Sequence, residues 1–189
     1  SNYDGWQFSN SNIVNGISGR CDLSYFYNDI AGWDTTKPDI NSYHLDVPNQ
    51  IFDYNGEQIK PSFTLGNLEN SIDYTYYYEN NINAGTGTCT ITGVNNYQGT
   101  RSFNFVINPV SISGYTISLL GYGFTYTGSE IKPTVSVAGL SDSDFDVSYT
   151  DNINVGSAKA IATGKGNYKD TVSTTFTISR RSIESYNIS

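Results

Sequence analysis

One histidine, two cysteines and no methionine in 189 residues leave little with which to build a metal centre or an acid–base pair. Two Cys and one His fall short of the four nitrogen and sulfur ligands of a structural zinc site, so no metal and no cofactor are expected. Charged residues are scarce, at 15%, and their balance is negative, at −8. Such a chain repels phosphate backbones and anionic lipid surfaces, which argues against nucleic-acid binding. No run approaches the roughly 18 consecutive apolar residues of a membrane helix, so no membrane insertion is expected. Long helical windows are missing as well. What the chain does have is 16 Tyr, 9 Phe and 18 Gly, a composition that favours strands and turns.

The second property is internal repetition. Phe52-Asp-Tyr-Asn-Gly-Glu-Gln-Ile-Lys-Pro61 returns as Phe124-Thr-Tyr-Thr-Gly-Ser-Glu-Ile-Lys-Pro133. Asn81-Ile-Asn-Ala-Gly85 returns as Asn152-Ile-Asn-Val-Gly156, and Gly93-Val-Asn-Asn-Tyr97 as Gly164-Lys-Gly-Asn-Tyr168. The spacing is 72 residues up to a one-residue difference and 71 after it. Ile112, Tyr115 and Ile117 recur at Ile183, Tyr186 and Ile188. The chain therefore divides into an aromatic segment 1–39, repeats 40–110 and 111–180, and the start of a third unit at 181–189.

Within each repeat, short segments of strand character alternate with turn chemistry. Strands are predicted at Tyr43–Val47 and Tyr115–Leu119, at Tyr74–Glu79 and Phe145–Thr150, at Gly87–Thr92 and Lys159–Thr163, and at Ser102–Ile107 and Thr174–Ile178. Gly56 and Gly128 supply the positive φ of a tight turn. Pro61 and Pro133 mark the start or the edge of a strand, because proline cannot donate to a ladder. The expected fold is all-β, with two tandem small immunoglobulin-like β-sandwich modules after a short N-terminal segment. Comparing the copies separates the faces: Tyr74, Tyr76 and Tyr78 align with Phe145, Val147 and Tyr149, which predicts that all are core. Phe105 with Phe176, and Ile107 with Ile178, are predicted core too, whereas Tyr77, aligned with Ser148, faces water.

The pattern Y-x-G-x-x-I-x-P, N-x-N-x-G, G-x-x-N-Y, closing on F-x-I, resembles the immunoglobulin-like repeats found in tandem in bacterial surface proteins. The MBG or YDG-type modules are the most similar. The resemblance spans about residues 40–178 and implies a secreted or wall-attached, extracellular protein whose modules act as spacers or adhesin segments. It carries over no catalytic residue, and fold alone does not assign function.

Both tryptophans, Trp6 and Trp33, lie in the segment that does not repeat, with Tyr3, Phe8, Tyr25, Phe26 and Tyr27. Asn15–Leu23 faintly echoes Asn83–Ile91, so the segment reads either as the worn tail of a preceding repeat or as a cap on the array. Cys89 sits where the second copy has Ala160 and is predicted to face inward. In an extracellular protein two cysteines invite a Cys21–Cys89 disulfide, worth on the order of 4 kcal/mol for a loop of that length. The alternative is two buried thiols acting as small apolar residues.

Other candidate chemistry has a plainer reading beside it. His44, aligned with Thr116, is a strand surface residue with no nucleophile next to it. Asp142, Asp144 and Asp146 suggest calcium but are absent from the first copy, so they read as an acidic turn. Nothing in the sequence brings Asp22, Glu69 and Asp73 together as a carboxylate pair. Lys60 and Lys132, beside the recurring Asn81, Asn83, Asn152 and Asn154, raise a Lys–Asn isopeptide cross-link; otherwise Lys guards a strand edge and Asn shapes a turn. No enzyme activity is expected. The leading expectation is a non-catalytic stalk or adhesin module, monomeric, whose partners are neighbouring repeats and a glycan or a surface protein. The alternative is a carbohydrate-binding module using Trp6, Tyr25, Tyr27, Trp33 and Tyr77, since sugars stack on exposed aromatic faces.

Overall fold

Residues 36–182 are described by the structure, a computed structural model. Among the described residues every element but two one-turn 3-10 helices (Ile40–Ser42 and Asp142–Asp144) is a strand. In the first module β1 (Leu45–Asp46) pairs antiparallel with β3 (Thr64–Leu65). The larger sheet runs in the order β2-β6-β5-β4. Here β4 (Tyr74–Glu79) and β5 (Gly85–Gly93) are antiparallel neighbours, as are β5 and β6 (Thr100–Asn108), while β2 (Ile51–Asp53) lies parallel to β6. The second module opens with β7 (Val110–Ser111), which runs parallel to β12 (Tyr168–Lys169). Its β8 (Ile117–Leu120) pairs with β9 (Thr134–Val137), and β10 (Phe145–Thr150), β11 (Gly156–Gly164) and β13 (Thr171–Ile178) form the larger sheet. The chain is an all-β sandwich protein.

The register repeats with the sequence. Tyr74 faces Gly93 and Tyr78 faces Cys89, as Phe145 faces Gly164 and Tyr149 faces Ala160. Period-2 alternation then sends Cys89, Ile91, Phe103, Phe105 and Ile107 into one core, and Ala158, Ala160, Ala162, Phe176 and Ile178 into the other. The two cores are filled differently. Phe63, Phe103 and Tyr76 stand where the second copy has Val135, Thr174 and Val147. In the first module these rings form a chain of edge-on contacts, Phe63–Tyr76 at 5.1 Å, Phe63–Phe103 at 5.4 Å and Tyr76–Tyr78 at 5.6 Å.

One expectation is corrected here. Tyr76 and Val147 are not core: they are 41% and 39% exposed. Alternation places them on the inward face, but β4 is an edge strand, and β10 also ends its sheet. Each therefore has a sheet neighbour on one side only, and Tyr76 is partly covered by the rings of Phe63, Tyr74 and Tyr78. Tyr74 and Phe145 are buried as predicted, and Tyr78 and Tyr149 are half-buried.

Two glycine positions explain why the motifs recur. Gly56 and Gly128 both sit at φ +82°, the left-handed turn that side chains disfavour. Gly93 and Gly164 open the Gly-x-x-Asn-Tyr turn with backbone packed against the missing side chain. A Cβ on Gly164 would lie 2.8 Å from Lys169 N, and one on Gly93 2.8 Å from Gln98 O. Gly164→Ala is therefore expected to cost about 1–3 kcal/mol, the range for overpacking a tight site. Urea denaturation checks this, and an unchanged midpoint would show that the turn has room.

Candidate functional site

The recurring polar residues first serve each module. Ile59 N–H donates to Asn81 O (2.8 Å), and Asn81 Nδ2 donates back to Ile59 O (3.0 Å). Asn152 repeats both bonds with Ile131. These are the only buried polar side chains among the described residues, and both are satisfied. The Tyr78 hydroxyl donates to Pro61 O at 2.5 Å, and Tyr149 does the same to Pro133 O. The Ile-Lys-Pro segments are thus extended chain held by side chains rather than ladder strands; β9 begins directly after Pro133, β3 three residues after Pro61.

A second use appears between the modules. Asn167 Oδ1 accepts from Ala84 N–H at 2.7 Å, and Asn167 Nδ2 donates to Asn83 Oδ1 at 3.1 Å. Its carbonyl accepts from Val110 N–H at 2.9 Å, just beyond Pro109, where the chain passes from β6 to β7. Next to it the ring of Tyr168 meets Tyr54 edge-on at 5.7 Å. Burial holds the Tyr168 phenol above its ordinary pKa, with Tyr54 adding to the shift. The Tyr-x-Gly turn and the Asn-x-Asn-x-Gly loop of one module therefore receive the Gly-x-x-Asn-Tyr turn of the next. Two hydrogen bonds and one ring pair contribute roughly 1.5–4.5 kcal/mol, enough to hold a one-residue junction in place.

The predicted site residues fall as follows. Tyr77 is 53% exposed on β4 and makes no ring contact among the described residues. It lines a hollow of about 300 Å³ with Gln58, Lys60, Tyr76, Tyr78 and Asn81. Trp6, Tyr25, Tyr27, Trp33 and Cys21 lie outside the described residues. Cys89 is a free thiol with no exposed surface. His44 is exposed, and its carbonyl accepts from Gly66 N–H. Asp144 caps its own turn by accepting from Ser141 N–H at 2.9 Å, as Asp73 does from Glu69 N–H. Asp146 pairs with Lys165 at 2.6 Å. No three His, Cys, Asp or Glu side chains gather as metal ligands among the described residues. Lys132 is exposed and pairs with Glu130, and Lys60 is exposed too, whereas Asn81 and Asn152 are spent on backbone. Compared with known protein families, curated proteins and solved structures, the chain matches none.

Sequence reasoning missed Tyr54, Ala84, Asn167 and Tyr168 as a group. The signal was there: all four stand inside recurring motifs, Ala84 at the one position of Asn-x-Asn-x-Gly between Asn83 and Gly85 where the second copy has Val155.

Proposed function

We propose that this chain is a non-catalytic spacer and presentation scaffold of a bacterial surface or secreted protein. The observation that carries the reading is the use made of the repeated motifs. Among the described residues, Asn81 and Asn152 of these motifs lock each module, and Tyr54, Asn167 and Tyr168 join one module to the next. The resemblance to tandem surface-protein repeats supports the extracellular setting, and the low charge and negative balance suit a partner other than nucleic acid. The short junction supports a role in holding a fixed reach.

Small-angle scattering of the full chain tests it. The parent is expected to fit one fixed arrangement of the two modules, and Asn167→Ala/Tyr168→Ala to broaden into a range of arrangements while both cores stay folded. A parent chain already as loose as the variant would overturn the scaffold reading. Glycan binding that is lost in Trp6→Ala/Trp33→Ala would replace it with the carbohydrate-binding alternative.

A further inference from the structure

The seam uses one pole of the first module, and the second module carries the same pole without an occupant among the described residues. Its loop Asp151–Ser157 matches Asn80–Thr86 in detail. Asn80 and Asp151 have φ of 52° and 56°, Gly85 and Gly156 both 139°, and Asn81 and Asn152 make the same clamp. The loop that gives up Ala84 N–H and Asn83 Oδ1 therefore offers Val155 N–H and Asn154 Oδ1 in the same way. Neither group has a hydrogen-bond partner among the described residues. Tyr126, at the place of Tyr54, is 39% exposed and Val155 46% exposed, whereas Tyr54 and Ala84 are half-buried at the seam. The hollow inside the loop is also wider, about 500 Å³ against about 320 Å³.

We infer that Tyr126, Asn154 and Val155 form a docking site for the Gly-x-x-Asn-Tyr turn of a further copy of this module. The incoming Asn side chain would accept from Val155 N–H and donate to Asn154 Oδ1, and the incoming Tyr ring would close on Tyr126. The occupant is fixed by continuity with the existing seam: the same donor, acceptor and ring already receive that turn once in this chain. The inference rests on seam geometry and holds whatever the array presents.

The test continues residues 1–182 with a second copy of residues 112–182, placing Ile112 of the copy where Ile183 stands. Amide exchange at Val155 is expected to slow about tenfold relative to the parent, the factor for one hydrogen bond near the top of its net range. The copied Asn167→Ala should restore the parent rate. Exchange at Val155 that is equally fast in both chains would overturn the inference. A second measurement needs no added module: Asn167→Ala in the parent should speed exchange at Ala84 to the rate of Val155. An unchanged Ala84 amide would show that the Asn clamp does not hold the seam, and the inference would fall with it. Loss of scaffold behaviour through glycan binding leaves both exchange results untouched.

Discussion

Phe105→Ala is expected to bring the first module close to global unfolding at room temperature. Phe105 is 1% exposed at the centre of β6, with the rings of Phe52 and Tyr78 edge-on at 6.1 Å each. It lies directly over Gly87, where an added Cβ would be 2.3 Å from its ring. The strand beneath the ring therefore has no side chain to move into the space it leaves. Phe→Ala in a core costs about 3–5 kcal/mol, and the poorly collapsing site points to the upper part. A module of this size holds on the order of 5 kcal/mol in total. Phe176→Ala in the second module should cost less, because Phe176 is 7% exposed and covers Ala158, which already has a Cβ. Chemical denaturation, with labelling of Cys89 reporting the first module alone, measures both. Equal costs for the two substitutions would refute the argument from collapse.

The second large effect is alkaline. Burial pushes the Cys89 thiol from its ordinary 9.0 up to about 11, against a smaller opposing effect of the neighbouring Tyr78 hydroxyl. Below pH 9 both folded and unfolded chains hold the proton, and the contribution to stability is complete. Between pH 9 and 11 the unfolded chain ionises while the folded one does not, so stability falls as pH rises. Above 11 both are ionised and this decline ends. Two pH units correspond to about 2–3 kcal/mol. Burial raises the Tyr74 and Tyr78 phenols as well, which prolongs the decline on the alkaline side. Cys89→Ala, the residue the second copy uses at Ala160, should flatten the fall between pH 9 and 11. Urea midpoints for parent and variant from pH 8 to 11 decide it, and parallel curves would sink the explanation.

Much of this architecture was legible in the sequence because the chain carries its own comparison. Tyr74–Glu79 and Phe145–Thr150 are strands over the predicted residues, and Phe105, Ile107, Phe176, Ile178 and Cys89 are buried as alternation required. Alternation tells which side of a sheet a residue faces. It does not tell which strand ends a sheet, which is why Tyr76 on β4 and Val147 on β10 came out exposed. The short strands β2, β3, β7, β9 and β12 escaped because two to four residues carry no period. The seam escaped for another reason. A recurring asparagine can be kept by a bond inside its module or by a bond to the next one, and recurrence cannot separate Asn81, which does the first, from Asn167, which does the second. Only the fold places Asn167 beside Ala84, across a sequence distance of 83 residues.

The unequal partnering of the last long strands bears on how the chain behaves under tension. In the first module β2 runs parallel to β6 over three registered pairs, Ile51 with Val106, Phe52 with Ile107 and Asp53 with Asn108. At the same place the second module keeps a single bridge, Thr125 with Ser179, beyond the left-handed Gly121 and Gly123. Pulling on the chain ends loads such parallel contacts in shear, where the bonds must give way together rather than one by one. The first module thus has the stronger clamp and the second the weaker, and the weaker yields first. Its roughly 70 residues, at 3.3–3.6 Å each, have an extended length on the order of 240 Å, and unfolding releases that length less the span of the folded module. On the proposed spacer reading, the weaker module is the part that lengthens under a sudden pull while its neighbour stays folded.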